Sequence, residues 1–200
     1  ASGMNMGWIL SPVGRGALSI GRQLVVRVRA AMIQSATYSR PNMRLFALFA
    51  VIAHPVYFLC WTLISPQPFE SAWLRMFSVL VALPMLFESQ LSKNQIWHRY
   101  FTLYWFAVLL YQLPFFFVFM SLMNGFSDVW ALSTMAACLF TVLLVFDWLM
   151  VPLMVVTGVL LACLGYTLFG TVDFDAHNSL TRLVPVYLFA LVGGSAFNYK

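Results

Sequence analysis

The stretch YFTLYWFAVLLYQLPFFFVFMSLM, residues 100–123, decides the fold, because it is apolar along its length and carries no charged side chain. An α-helix of about 20 apolar residues spans the hydrocarbon core of a bilayer. In lipid, backbone N–H and C=O groups find no water, so spanning segments are helices or closed barrels. Barrel strands alternate apolar and polar residues, whereas this run is continuous. The stretch therefore predicts a transmembrane helix.

The composition of the whole chain agrees with this prediction. Of its 200 residues, 62% are hydrophobic and 8% are charged, which leaves too few polar groups to cover a soluble domain. The three cysteines and three histidines lack the spacing of a disulfide, a metal site or a haem site. The net charge of +5 comes mostly from basic residues beside apolar runs, which favours a membrane surface over nucleic acid as partner. The sequence predicts neither a cofactor nor a catalytic site in these residues.

Six apolar runs predict an all-α integral membrane protein, a bundle of six transmembrane helices. The predicted spans are 43–64, 71–87, 100–123, 129–146, 149–169 and 182–198. The basic segment 1–40 is expected to precede the bundle as a cytoplasmic or interfacial segment. Ser127 or Asp128 is suited to cap the fourth span. The shortest connector, at Asp147, is either a helix break or a re-entrant kink.

The orientation follows from lysine and arginine, which are retained on the cytoplasmic side of a membrane. With six spans, nine of the eleven basic residues fall on one side, including Lys200 and all those before the first span. Both termini are therefore predicted to be cytoplasmic.

Prolines inside the predicted spans indicate local breaks in the helices. These prolines are Pro55, Pro84, Pro114, Pro152 and Pro185. Each ring removes a backbone donor, so the freed carbonyls need other partners, and such helices form cavities at mid-depth. Small residues that allow helices to approach closely are Gly158, Ala162, Gly165, Gly193, Gly194 and Ser195.

Two polar side chains at membrane depth are candidates for a ligand site. His54 precedes Pro55, and a bond to the backbone beside the proline is favoured over a ligand contact. Arg75 lies about one turn into the second span and needs a partner. That partner is lipid headgroups, Glu70, an outer aspartate or the polar head of a ligand. No repeat and no membrane-buried ion pair is evident, which argues against a transporter.

Aromatic residues supply further candidates. Phe116 belongs to a run of phenylalanines that either packs against other helices or forms a wall of a ligand site. Trp130 and Ser133 are three residues apart, so they share one face of the fourth span. The pair offers an aromatic plane and a hydroxyl group. The simpler interpretation is a tryptophan of the interfacial belt and a serine bonded to its own backbone.

Several strings occur in the order found in one family of membrane receptors. The most specific are LPFFFxFMxLMN (113–124) and WAxSxMA (130–136). Weaker strings are YxxPN (38–42), PxYFxxW (55–61), PQ with Glu70, Leu74 and Arg75 (66–75), WxRY (97–100) and LLVxD (143–147). The chain thereby resembles the membrane sensor region of the CqsS/LqsS-type histidine kinases, receptors for α-hydroxyketone autoinducers in bacterial quorum sensing.

The resemblance implies a six-span sensor domain in the bacterial inner membrane, with cytoplasmic ends and a downstream kinase region through which it forms a homodimer. Its ligand would be small and lipophilic, an acyl chain that carries a ketone and a neighbouring hydroxyl. Trp130 and Ser133 occupy positions of the family's ligand contacts in span four. In span six, Leu188 and Ala196 stand where the family has a phenylalanine and a cysteine, which bears on the size of the pocket.

The favoured hypothesis is a receptor domain that binds an autoinducer between its helices, in contact with membrane lipid, and controls a histidine kinase. The residues expected to contact the ligand are Trp130, Ser133, Leu188, Ala196, Phe116, Arg75 and His54. The alternative is a small membrane transporter or scaffold subunit with no attached kinase.

Overall fold

A computed structural model describes residues 12–170 and, beyond them, the helical positions 181, 184, 185, 188 and 192. Residues 12–170 form α-helices, with two short π-helical segments and no strand. The elements are α1 (Pro12–Leu59), a π-helical segment (Cys60–Ile64), α2 (Ala72–Leu86), α3 (Glu88–Leu91), α4 (Gln95–Leu110), a second π-helical segment (Tyr111–Phe115), α5 (Phe116–Met123), α6 (Asp128–Val145) and α7 (Met150–Phe169). The all-α prediction is confirmed.

Four helical stretches in the described part of the chain are long and apolar enough to cross a bilayer. They are Gly21–Ile64, Gln95–Met123, Asp128–Val145 and Met150–Phe169. The apolar helix α2, which corresponds to the second predicted span, has 15 residues. The sixth predicted span, 182–198, lies almost wholly outside the described residues. The number of spans and the side of the termini therefore stay predictions.

The first helix begins much earlier than the sequence predicts. Residues 12–40 form one helix with the first span, and α1 continues through Pro41. The hydroxyls of Ser35 and Ser39 donate to the carbonyls of Val145 and Leu144. These carbonyls lie in the last turn of α6, where helix carbonyls have no partner within the helix. The amino-terminal part of α1 is thereby bound to the end of α6.

The boundaries of α6 and α7 agree with the predicted spans to within one residue. Asp147 separates the two helices, because its carboxylate accepts hydrogen bonds from the N–H groups of Leu149 and Met150 at 2.9 and 2.8 Å. The connector at Asp147 is therefore a capped helix start. Ser127 occupies the capping position of α6, as predicted, but its hydroxyl is buried and does not make the expected capping bond.

Proline interrupts the helices less than the sequence suggests. Pro55 and Pro84 lie inside helices that continue past them, and Pro152 lies in the first turn of α7, where no donor within the helix is lost. Pro114 lies within the π-helical segment Tyr111–Phe115. The wider turn of such a segment shifts the register of the residues that follow.

Small residues of α7 allow it to lie directly against this π-helical segment, as predicted. A Cβ atom added to Gly158 would lie 2.5 Å from the Cβ of Pro114, and one added to Gly165 would lie 3.2 Å from the ring of Phe119. Ala162, between the two glycines, is fully buried. These small residues therefore let α7 pack directly against α5 and the second π-helical segment.

Gly158→Ala should therefore destabilise the bundle, because the new methyl group overlaps the side chain and backbone of Pro114. Overpacking of this kind costs about 1–3 kcal/mol. Thermal unfolding of the purified protein in detergent measures the effect. Gly21→Ala is the matched control, since nothing lies within 4 Å of the added atom. Equal melting temperatures for the two variants would contradict the close helix contact.

Candidate ligand-binding site

A cavity of about 820 Å³ lies between α1 and α6. It extends from Asn42 of α1 to Trp61 of the first π-helical segment and, in the opposite direction, along α6 from Leu144 to Val129. Its walls are mostly apolar, and they include Phe49 of α1 and Phe140 of α6, whose rings are in contact at 6.4 Å between centroids. Its volume lies within the range of about 300–1,000 Å³ typical of small-molecule sites.

Polar side chains concentrate at one end of this cavity. His54, Arg75, Trp130 and Ser133, which the sequence singles out, all line it, and Gln112 joins them. Phe116 lies directly beside them, with its ring 5.0 Å from that of His54. Of the remaining predicted residues, Leu188 is helical and exposed, and Ala196 lies outside the described residues. Five of the side chains predicted from the sequence, which belong to α1, α2, α5 and α6, therefore lie close together.

Arg75 is held inside the bundle by Glu70. Its Nε and Nη2 atoms donate to the two carboxylate oxygens of Glu70 at 2.9 and 2.8 Å, and both side chains are about 95% buried, with 5% and 4% of their surface exposed. The guanidinium carbon lies 5.3 Å from the ring centroid of Phe116 and 5.8 Å from that of Trp130. Both distances permit cation–π attraction. Of the partners considered from the sequence, Glu70 is the one that Arg75 contacts. The expectation that no buried ion pair exists is wrong.

His54 is bonded to a side chain and not, as predicted, to the backbone. Its Nε2 atom lies 2.7 Å from the Oε1 atom of Gln112, whose amide nitrogen donates to the carbonyl of Ser78 at 2.6 Å. That second bond orients the amide, so Nε2 of His54 is the donor and Nδ1 of the neutral ring is an acceptor. Nδ1 is buried and has no partner.

Trp130 is buried, with 1% of its surface exposed, so it does not belong to an interfacial belt. Its indole N–H is buried and has no partner. Ser133 donates to the carbonyl of Val129 at 2.8 Å, as predicted for a serine bonded to its own backbone. Its oxygen keeps the capacity to accept a hydrogen bond.

Hydroxyl groups behind Trp130 hold it in place. Ser121 of α5 donates to the carbonyl of Trp130 at 3.1 Å and lies 2.6 Å from the hydroxyl of Thr134. Thr134 also bonds the carbonyl of Phe117 at 3.2 Å. Sequence reasoning missed Ser121 and Gln112. Both are polar residues inside apolar runs, and that feature alone could have identified them.

Breaking the ion pair from either side should be costly, because the remaining charge is left buried without its partner. We expect Glu70→Gln or Arg75→Gln to destabilise the protein by about 3–5 kcal/mol. The double variant should lose less than the sum of the single losses. Chemical denaturation in mild detergent measures all three. Strictly additive losses would show that the two side chains do not stabilise each other.

The chain is similar in sequence to the CAI-1 autoinducer sensor kinase/phosphatase CqsS of Vibrio cholerae serotype O1, with 32% identity over 159 residues. The aligned region covers 79% of this chain and 23% of CqsS, so the chain spans about a quarter of the length of that relative. No protein-family model matches the chain. No solved structure matches it either. The similarity supports the assignment of this chain as a CqsS-type sensor domain, the family whose motifs the sequence carries.

Proposed function

We propose that this chain is the receptor domain of a membrane sensor kinase and that it binds a small lipophilic autoinducer in the cavity between α1 and α6. The observation that carries the proposal is the arrangement of that cavity. Most of its polar side chains lie at one end, Asn42 lies at the other, and the walls between them are mostly apolar. This arrangement suits an amphiphile with one polar head and one apolar tail.

The apolar part of the cavity suits an acyl chain. Ala136, Phe140 and Leu143 succeed one another along α6 at helical spacing. Each methylene group buried there contributes about 0.8 kcal/mol. The helical stretch that lines the cavity, from Asn42 of α1 to Trp61 of the first π-helical segment, is roughly 30 Å long. Chains of different lengths can therefore be distinguished by the number of methylene groups they bury.

The polar end suits a head group with one hydrogen-bond donor and one acceptor. Nδ1 of His54 is an acceptor without a partner, whereas the indole N–H of Trp130 is a donor without one. A buried polar group without a partner costs about 1–3 kcal/mol. A hydroxyketone supplies a hydroxyl for the first group and a carbonyl oxygen for the second. Arg75, next to Trp130, favours the partial negative charge of that oxygen.

Control of a kinase requires that the ligand bind two helix packings unequally. The name of the relative, a sensor kinase/phosphatase, supports such an output for the parent protein. We propose that the parent protein lies in the bacterial inner membrane, that it dimerises through its kinase region, and that Leu188 and Ala196 contact the tail of the ligand.

A second candidate function is transport without an attached kinase. The observation that favours it is the buried pair of Arg75 and Glu70, since buried charges in membrane proteins often mark an ion or substrate pathway. Proteoliposomes that contain the purified chain distinguish the two functions. Time-dependent uptake of a labelled hydroxyketone beyond that of empty vesicles favours transport, whereas saturable binding without uptake favours the receptor.

Trp130→Ala and Ser133→Ala should weaken binding of an α-hydroxyketone to the purified protein in lipid nanodiscs. The carbonyl oxygen of the ligand has two lone pairs, so it can accept from the indole N–H of Trp130 and also from the hydroxyl of Ser133, which turns to it from the carbonyl of Val129. We expect Ser133→Ala to reduce affinity by about 3–10-fold, the value of one hydrogen bond, and Trp130→Ala to reduce it at least as much. Leu139→Ala is the control, because Leu139 is an exposed residue of α6 outside the cavity lining. Calorimetric titration measures the affinities. Unchanged affinity in both cavity variants would exclude this site.

The donor–acceptor assignment makes a second prediction about ligands. A diketone analogue replaces the hydroxyl by a second acceptor, which would face the lone pair of His54 Nδ1. We therefore expect the hydroxyketone to bind the native protein at least tenfold more tightly than the diketone, about 1.4 kcal/mol. His54→Phe should reduce this ratio towards one. A native ratio of one, or a ratio that His54→Phe leaves intact, would contradict the role of His54.

A further inference from the structure

A second groove, of about 470 Å³, lies between α1 and α4. Its lining includes Arg29, Ile33 and Arg40 of α1 and Arg99, Phe101 and Leu103 of α4. The residues from α1 follow the spacing of one helical face, since Arg29, Ile33 and Arg40 are separated by four and seven residues. The groove is separate from the candidate ligand site, with which it shares no lining residue.

The groove carries a net positive charge. Its lining contains three arginines and one carboxylate, that of Glu88. Glu88 pairs with Arg40 at 2.6 Å. Among the residues that the structure describes, no carboxylate lies within ion-pair distance of Arg29 or Arg99. Two guanidinium groups from different helices are therefore available to an anion, and the hydroxyls of Ser92 and Thr102 lie in the same lining.

The groove also has an apolar part. Met32, Ile33, Phe101 and Leu103 lie among its charged residues. A free inorganic anion gains nothing from such side chains, whereas an anion joined to acyl chains does. Trp97 lies in the lining, and its ring packs against that of Tyr104 at 5.1 Å. Aromatic residues of this kind are enriched at the level of lipid headgroups.

We propose that this groove binds the headgroup of an anionic phospholipid. The phosphate lies between Arg29 and Arg99, and the first carbons of the acyl chains contact Phe101 and Leu103. Arginine suits the phosphate, because its planar fork donates two hydrogen bonds at once. On the orientation that the basic residues predict, the lipid belongs to the cytoplasmic leaflet. A lipid bound there joins the amino-terminal part of α1 to the start of α4.

The test compares two lipids with the same acyl chains and different headgroups, the anionic dioleoyl phosphatidylglycerol and the zwitterionic dioleoyl phosphatidylcholine. Lipid retained by the purified full chain is counted by native mass spectrometry over a concentration series. We expect the native protein to prefer phosphatidylglycerol. Arg29→Gln and Arg99→Gln should each reduce its affinity about fivefold, the effect of removing one basic residue at an anionic surface, with little effect on phosphatidylcholine.

Two controls keep the outcome decisive. Arg22→Gln removes the same charge from an exposed position of α1 outside the groove and should leave the preference intact. Arg29→Lys keeps the charge and should retain much of the affinity for phosphatidylglycerol. This result would show that Arg29→Gln acts through the missing charge and not through misfolding. An equal loss of affinity for phosphatidylglycerol in Arg22→Gln and Arg29→Gln would show that the lipid is attracted by the overall positive charge and not by the groove. That result would overturn the proposal. Full competition by inorganic phosphate would also overturn it, because the occupant would then be a soluble anion.

Discussion

In a bilayer, polar groups inside the bundle have only one another as partners, and the structure around the cavity depends on this constraint. The guanidinium group of Arg75 lies against the carboxylate of Glu70, and the imidazole of His54 lies against the amide of Gln112. The first pair lies within α2 and the residues just before it. Gln112, which also donates to the carbonyl of Ser78, joins α1, the second π-helical segment and α2. The same bonds that satisfy these groups place α2 and the π-helical segment beside α1, and so define one end of the cavity.

The bonds nevertheless leave selected atoms without partners. Nδ1 of His54 and the indole nitrogen of Trp130 are buried without a partner, in two side chains that line this end of the cavity. Groups of this kind are uncommon in folded proteins, because desolvation without a hydrogen bond is unfavourable. The bundle carries this cost where a small amphiphile could relieve it, and it does so between two helices that are otherwise in loose contact. Trp97, Trp105 and Ser127 also have a buried polar atom without a partner, and none of them lines this cavity. On the proposed function, the ligand would supply partners for the two atoms of His54 and Trp130.

Much of the fold could be predicted from sequence, because apolar runs in lipid have few alternatives to helix. The predicted start and end of the fourth span fall within a residue of α6. The extent of α1 could not be predicted, since arginines among its valines and leucines suggest a polar segment, and the contacts of Ser35 and Ser39 with α6 are visible only in three dimensions. Likewise, no local pattern reveals the one-residue change of register around Pro114.

The candidate site was predictable in part and for two different reasons. Trp130 and Ser133 were identified by spacing and by similarity to a family of receptors, whereas Arg75 and His54 were identified because polar side chains are rare at membrane depth. The partners of these side chains were harder to predict from the sequence. Gln112 is 58 residues from His54, and its pairing depends on the π-helical segment, which turns its side chain towards α1.

The length of α1 gives the protein a mechanical property. A helix of 48 residues is roughly 70 Å long, and the hydroxyls of Ser35 and Ser39 attach it to α6 near its midpoint. This attachment divides α1 into two segments of similar length. A change in the tilt of α1 at this point would move the segment that lines the cavity and the segment that carries Arg29 in opposite directions. A tilt of about five degrees would displace the ends of a helix of this length by about 3 Å.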